Sequence, residues 1–251
     1  MPEYTVAGIG EVLWDVLPDG KQLGGAIANA AYHAHALGAQ GVVVSRVGDD
    51  DPGHEIINRL RQLDLRTDPL QLDSEHPTST VDVTINSKGQ PTYNIHEEVA
   101  WDYIAFTDKL QRLQNDVSAV FFGTLASRNT VSRQSISRFL ESLNPECLRV
   151  FDVNLRQTYY SQDILQELLK RTDVLKLNDD ELYVFKEMFA LEGDMMQLLE
   201  QLLASFDIQT IALTQGSRGS LLLNAEGKED FSPPDNSHEI RDTVGAGDSF
   251  C

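Results

Sequence analysis

Basic residues are scarce in this chain. Its 251 residues include 20 lysines and arginines against 39 aspartates and glutamates, a net charge of −19. Such a field repels nucleic acid, so DNA or RNA is not an expected partner. Any phosphate site must therefore be built locally, from backbone amides, a few cations and a metal ion. Cysteine is scarcer still. Cys147 and Cys251 stand far apart and give neither a disulfide framework nor a zinc spacing. No apolar run is long enough to span a membrane, and no basic segment precedes an apolar one at the N-terminus. The expected location is cytoplasmic. Two nucleotide-binding patterns are also missing. Gly8-Ile9-Gly10 lacks the third glycine of a dinucleotide fingerprint, because Leu13 stands in its place. No Gly-x-x-x-x-Gly-Lys-Ser/Thr run occurs, so P-loop chemistry is not expected.

What is present alternates between short apolar runs and amphipathic stretches. Residues 4–10 read as a buried strand, and 24–37 as an alanine-rich helix stopped by Gly38. Residues 41–47 read as a second strand, and Asp51-Pro52-Gly53 as the cap of a helix to about residue 63. Strands are expected at 117–122, 148–153, 174–177 and 208–214, with helices at 108–114, 130–143 and 163–171. This rhythm implies an α/β fold with a mostly parallel sheet. It is interrupted at 78–96, where two alternating runs flank Ser87-Lys88-Gly89-Gln90. That is a β-hairpin able to cover a site or to offer its edge to a second subunit.

Candidate functional residues gather where strands should end. Asp152, Asn154, Arg156, Asn178 and Glu181 follow two of them, and ligands of open α/β sheets sit beyond carboxyl strand ends. Thr214-Gln215-Gly216-Ser217-Arg218-Gly219 forms a glycine-spaced turn able to carry phosphate on its amides, with Thr214 or Arg218 assisting. Near the C-terminus, Asp242-Thr243-Val244-Gly245-Ala246-Gly247-Asp248 places two glycines before an acid. A helix starting there would point free N–H groups at a phosphate. Asp248 beside that anion makes sense as the group that accepts a proton from an attacking hydroxyl. The chain ends three residues after Asp248. One turn of helix is not stable alone, so the sequence reads as a truncated version of a longer protein.

Taken in order, these pieces resemble the ribokinase-like (PfkB-type) carbohydrate kinases, nearest to bacterial fructokinases. The ordered set is Asp15, Gly24-Gly25 with Asn29, Val47-Gly48-Asp49-Asp50, the hairpin, Asp152 to Arg156, Asn178 with Glu181, the 214–219 turn and the 242–248 signature. The resemblance implies a three-layer α/β sandwich over 1–251, incomplete at the C-terminus, with an inserted β lid at about 76–100. It implies ATP-dependent phosphorylation of a sugar hydroxymethyl group, with fructose favoured over 2-keto-3-deoxygluconate, ribose or a nucleoside. A non-catalytic sugar-binding protein or an inactive fragment is the alternative. Asp248 would be the base, with Gly245, Ala246 and Gly247 forming the anion hole. Asp15, Gly24, Gly25, Asn29 and Arg156 would bind the acceptor. Asn178, Thr214, Gly216 and Gly219 would serve the nucleotide. Glu181 would meet Mg²⁺ through water, and Asp242 and Val244 a monovalent cation such as K⁺. A homodimer through the lid is expected. Residues 95–101 lack the arginine that many fructokinases carry there, and the family's helices beyond the signature are absent from this chain.

Overall fold

In the computed structural model, residues 3–17, 20–85, 91–227, 229–233 and 247 are described. The chain opens with β1 (Thr5–Ile9), β2 (Leu13–Leu17), β3 (Gly20–Gly24) and α1 (Ala26–Ala36). There follow β4 (Gln40–Val44), β5 (Arg46–Gly48), α2 (Asp51–Gln62), β6 (Gln71–Asp73), β7 (Thr80–Ile85) and β8 (Pro91–Ile95). The middle holds α3 (Asp108–Leu113), β9 (Ala119–Gly123), α4 (Thr130–Ser142), β10 (Leu148–Asp152), α5 (Gln162–Leu169) and β11 (Val174–Asn178). The last elements are α6 (Asp179–Met188), α7 (Met195–Phe206), β12 (Thr210–Thr214), β13 (Ser220–Asn224) and β14 (Glu229–Ser232). Among the described residues no helix is long and apolar enough to cross a membrane.

The main sheet has eight strands in the order β14-β13-β12-β11-β10-β9-β1-β4. From β4 to β12 all neighbours run parallel, and β13 and β14 add an antiparallel edge. Parallel strands are covered on both faces, so they read as near-continuous apolar runs, and Val42, Val43 and Val44 of β4 are all buried. Helix α1 lies unusually close to this sheet. A Cβ on Gly8 would stand 2.3 Å from the Ile27 carbonyl oxygen, and one on Gly41 2.5 Å from that of Ala31. Only glycine in the strands, facing the alanines of α1, permits that approach.

The structure differs from the sequence pattern in four places. Residues 41–47 are not one strand. β4 ends at Val44, and β5 leaves the main sheet to pair in parallel with β6. The reason is electrostatic: Arg46 Nε reaches the buried carboxylate of Asp73 at 2.7 Å. Helix α2 is capped by Asp50, whose carboxylate accepts from Gly53 N at 2.8 Å, rather than by Asp51. Two helices not anticipated from the pattern, α6 and α7, connect β11 to β12, each opened by a capping box. The hairpin of β7 and β8 does not stand alone either. It joins β2 and β3 in a four-stranded sheet of order β3-β2-β7-β8. Asp15 therefore sits on a strand of that sheet.

Asp73 carries a measurable share of acid stability. Burial alone would raise its pKa, but the Glu75 and His76 amides, the His76 ring and Arg46 together lower it to about 2. Its folded value lies below its ordinary 3.8, so the contribution is present above that value and lost as pH falls toward 2. Thermal melting from pH 5 to 2 should show about 2 kcal/mol more acid loss in the wild type than in Asp73→Asn. Parallel pH curves for the two proteins would count against this role.

Candidate active site

The order of the main sheet reverses beside β1. The chain moves outward to β4, then returns to β9 on the other flank and continues to β10, β11 and β12. The cleft at such a switch point, outside the carboxyl strand ends, is where open α/β sheets hold ligands. β2 begins four residues after β1 ends, so the small sheet is rooted at this cleft.

Asp15, Gly24, Gly25 and Asn29 come together at its edge. A Cβ on Gly24 would lie 2.2 Å from Asp15 Oδ2, so the carboxylate rests against that backbone. Gly25 caps α1 with φ 110°, and a Cβ there would meet the Glu11 carbonyl oxygen at 2.5 Å. No other residue combines that dihedral with that approach. The carboxylate thus sits at the start of α1, where the helix dipole favours it. Asn29 closes the first turn, its amide donating to Gly25 O at 3.0 Å. Asn29 also lines a groove of about 710 Å³ with Trp14, Lys21, Tyr32 and Glu55, between α1, α2 and β3.

The ends of β10 and β11 hold a second group. Lys176 Nζ and Asp152 Oδ1 are 2.9 Å apart, with both side chains almost fully buried. Gly247, exposed and helical, is the neighbour of this pair: a Cβ on it would lie 3.3 Å from Lys176 Nζ. Gly247 therefore lies beside the carboxyl ends of β10 and β11. Asp242, Val244, Gly245, Ala246 and Asp248 lie outside the described residues.

Asn178 and Glu181 form a reciprocal cap on α6. Asn178 Oδ1 accepts from Glu181 N at 2.8 Å, and Glu181 Oε2 accepts from Asn178 N at 2.8 Å. Glu181 Oε1 accepts from Leu155 N at 2.9 Å, which ties the loop after β10 to α6. Each carboxylate oxygen takes one amide and keeps a lone pair for water. Arg156 is exposed, and its Nη1 donates to Leu155 O at 3.1 Å. Thr214 Oγ1 faces Leu177 O at 3.5 Å. Gly216 and Gly219 have φ of 55° and 105°. A Cβ on Gly219 would stand 2.3 Å from Ser232 O, so this turn needs glycine to pass β14. Arg218 is paired with Asp179.

Sequence reasoning missed two cations. Lys176 interrupts an otherwise apolar strand, and a lysine at a buried strand position is a readable signal. Arg128, in the loop after β9, forms a fork to Asp102 with Nε–Oδ1 and Nη2–Oδ2 both 2.8 Å. Nothing in its local sequence marks it.

The sequence profile of the pfkB family carbohydrate kinases matches residues 15–251. The chain belongs to that family. A putative sugar kinase of Pyrococcus horikoshii is 27% identical over 263 residues, covering 98% of this chain and 79% of the relative. A fructokinase of Klebsiella pneumoniae is 27% identical over 253 residues, covering 96% and 80%. Among solved structures, the apo fructokinase of Vibrio cholerae O395 superposes with a TM-score of 0.81 at 25% identity, over 99% of this chain and 86% of that one. The Pyrococcus horikoshii sugar kinase in complex with ATP gives 0.81 at 25% identity, over 98% and 82%. The fold is thus ribokinase-like, and the enzyme class is carbohydrate kinase.

Proposed function

We propose that the protein transfers the γ-phosphoryl group of ATP to a hydroxymethyl group of a small sugar, with fructose as the preferred acceptor. The observation that carries this reading is the placement of Gly247 against the buried Lys176–Asp152 pair. That puts a fixed ammonium beside the backbone that would cradle the phosphate. Phosphoryl transfer needs such alignment and charge stabilisation more than covalent chemistry.

In this reading Asp15 holds acceptor hydroxyls from the edge of α1, with Gly24, Gly25 and Asn29 shaping the contact. Gly245, Ala246 and Gly247 present amides to the transferring group. Asp248 accepts the proton of the attacking hydroxyl. Asn178, Thr214, Gly216 and Gly219 border the nucleotide, and Arg156 reaches the phosphates or the acceptor from the loop after β10. The free lone pairs of Glu181 suit waters around Mg²⁺, which supplies charge compensation for the triphosphate when bound. Asp242 and Val244 would offer carbonyls to K⁺. The small sheet acts as a lid over the acceptor, and its exposed edge strand β3 supports pairing with a second copy.

A panel of sugars assayed for ATP-dependent ADP release tests this directly. The expected outcome is saturable turnover with the highest kcat/KM for fructose. ADP release no faster with any sugar than without one would refute it.

A further inference from the structure

The base of the small sheet holds a buried arginine with an unused donor. Asp15, Val81 and Ile95 stand in register across β2, β7 and β8. Adjacent strands are about 4.8 Å apart, so the chain just past Ile95 lies roughly 10 Å from Asp15. There Arg128 Nη2 donates to the His96 carbonyl at 2.5 Å. The guanidinium is thus delivered to the segment 95–101, which has no arginine of its own. Its carbon lies 4.1 Å from the Trp101 ring centroid and 4.5 Å from that of Tyr159, whose hydroxyl donates to Ile95 O at 3.1 Å.

Asp102 neutralises this arginine, and the side chains are only 7% and 2% exposed. Yet Arg128 Nη1 and the nearby Trp101 Nε1 are buried and meet no hydrogen-bond acceptor among the described residues. Buried donors of this kind are nearly always satisfied in the working state of a protein. Both are donors only, so what completes them is an acceptor oxygen. An anion would leave a net negative charge in a buried place, because Asp102 has already balanced the guanidinium.

We propose that Arg128 is a specificity-determining residue of the acceptor site, donating through Nη1 to a sugar hydroxyl, and that its pairing with Asp102 selects neutral sugars against sugar phosphates and sugar acids. This rests on the sugar-kinase reading above and narrows its acceptor class. The loop after β9 supplies the residue, and its bond to the His96 carbonyl ties it to the chain just past β8.

The test compares wild type, Arg128→Lys and Asp102→Asn. For each, KM is measured for fructose and for ATP, together with inhibition constants of fructose 6-phosphate and gluconate against fructose. These constants, unlike rates, do not depend on how much of a variant is folded. Arg128→Lys keeps the charge but loses the fork and the free N–H. It should raise the fructose KM about tenfold and leave the ATP KM unchanged. Asp102→Asn frees the positive charge and should lower the ratio of anion inhibition constant to fructose KM, again by about tenfold. An unchanged fructose KM in Arg128→Lys, with only a lower melting temperature, would reduce the pair to an internal brace whose free donor meets a buried water. An unchanged ratio in Asp102→Asn would overturn the charge selection. Wild type without sugar-dependent turnover removes the kinase reading itself, and is seen before any substitution is made.

Discussion

Asp248→Asn should lower kcat with fructose by about 10²–10⁴-fold, the usual contribution of a positioned general base. Fructose binding should remain measurable by calorimetry. Asn keeps the shape and one acceptor oxygen, so the acceptor can still dock. What is lost is the ability to take its proton as the oxygen attacks. A carboxylate next to a triphosphate is otherwise a liability in a chain of net charge −19. Near-normal turnover in this variant would defeat the base assignment.

Lys176→Met should do two separable things. It removes the ammonium that neutralises the buried Asp152 carboxylate, a loss of about 3–5 kcal/mol in unfolding free energy. It also removes the ammonium beside Gly247, so turnover should fall by at least about tenfold in whatever protein remains folded. The double variant Lys176→Met with Asp152→Asn removes the buried negative charge as well. Thermal melting should recover most of the stability, while kcat stays low. Recovery of both would show that Lys176 acts only as the structural partner of Asp152.

Much of this arrangement is readable in the residues, and the exceptions have physical causes. Apolar runs such as 41–44 and 119–122 announce buried parallel strands because both faces are covered. Gly8 and Gly41 let the alanine-rich α1 lie close against the sheet. Periodicity reports which face is buried but not which strand is the partner. That is why 41–47 reads as one strand, and why the small sheet reads as a hairpin although β2 and β3 form half of it. The cluster of Asp15, Gly24 and Gly25 is visible in the sequence as part of an ordered motif. Arg128 is not, because 26 residues separate it from Asp102 and only the folded chain brings them together. Glu181 illustrates a different limit. The family resemblance implies a metal role for it, and the fold adds a cap on α6 and a tie to Leu155.

Phosphorus NMR of the wild-type enzyme mixed with ATP, Mg²⁺ and fructose follows the transferred group itself. The account predicts that ADP and a phosphate ester on a CH₂OH carbon of the sugar appear together in equal amounts. Formation of ADP with free phosphate, at the same rate whether or not fructose is present, would contradict it.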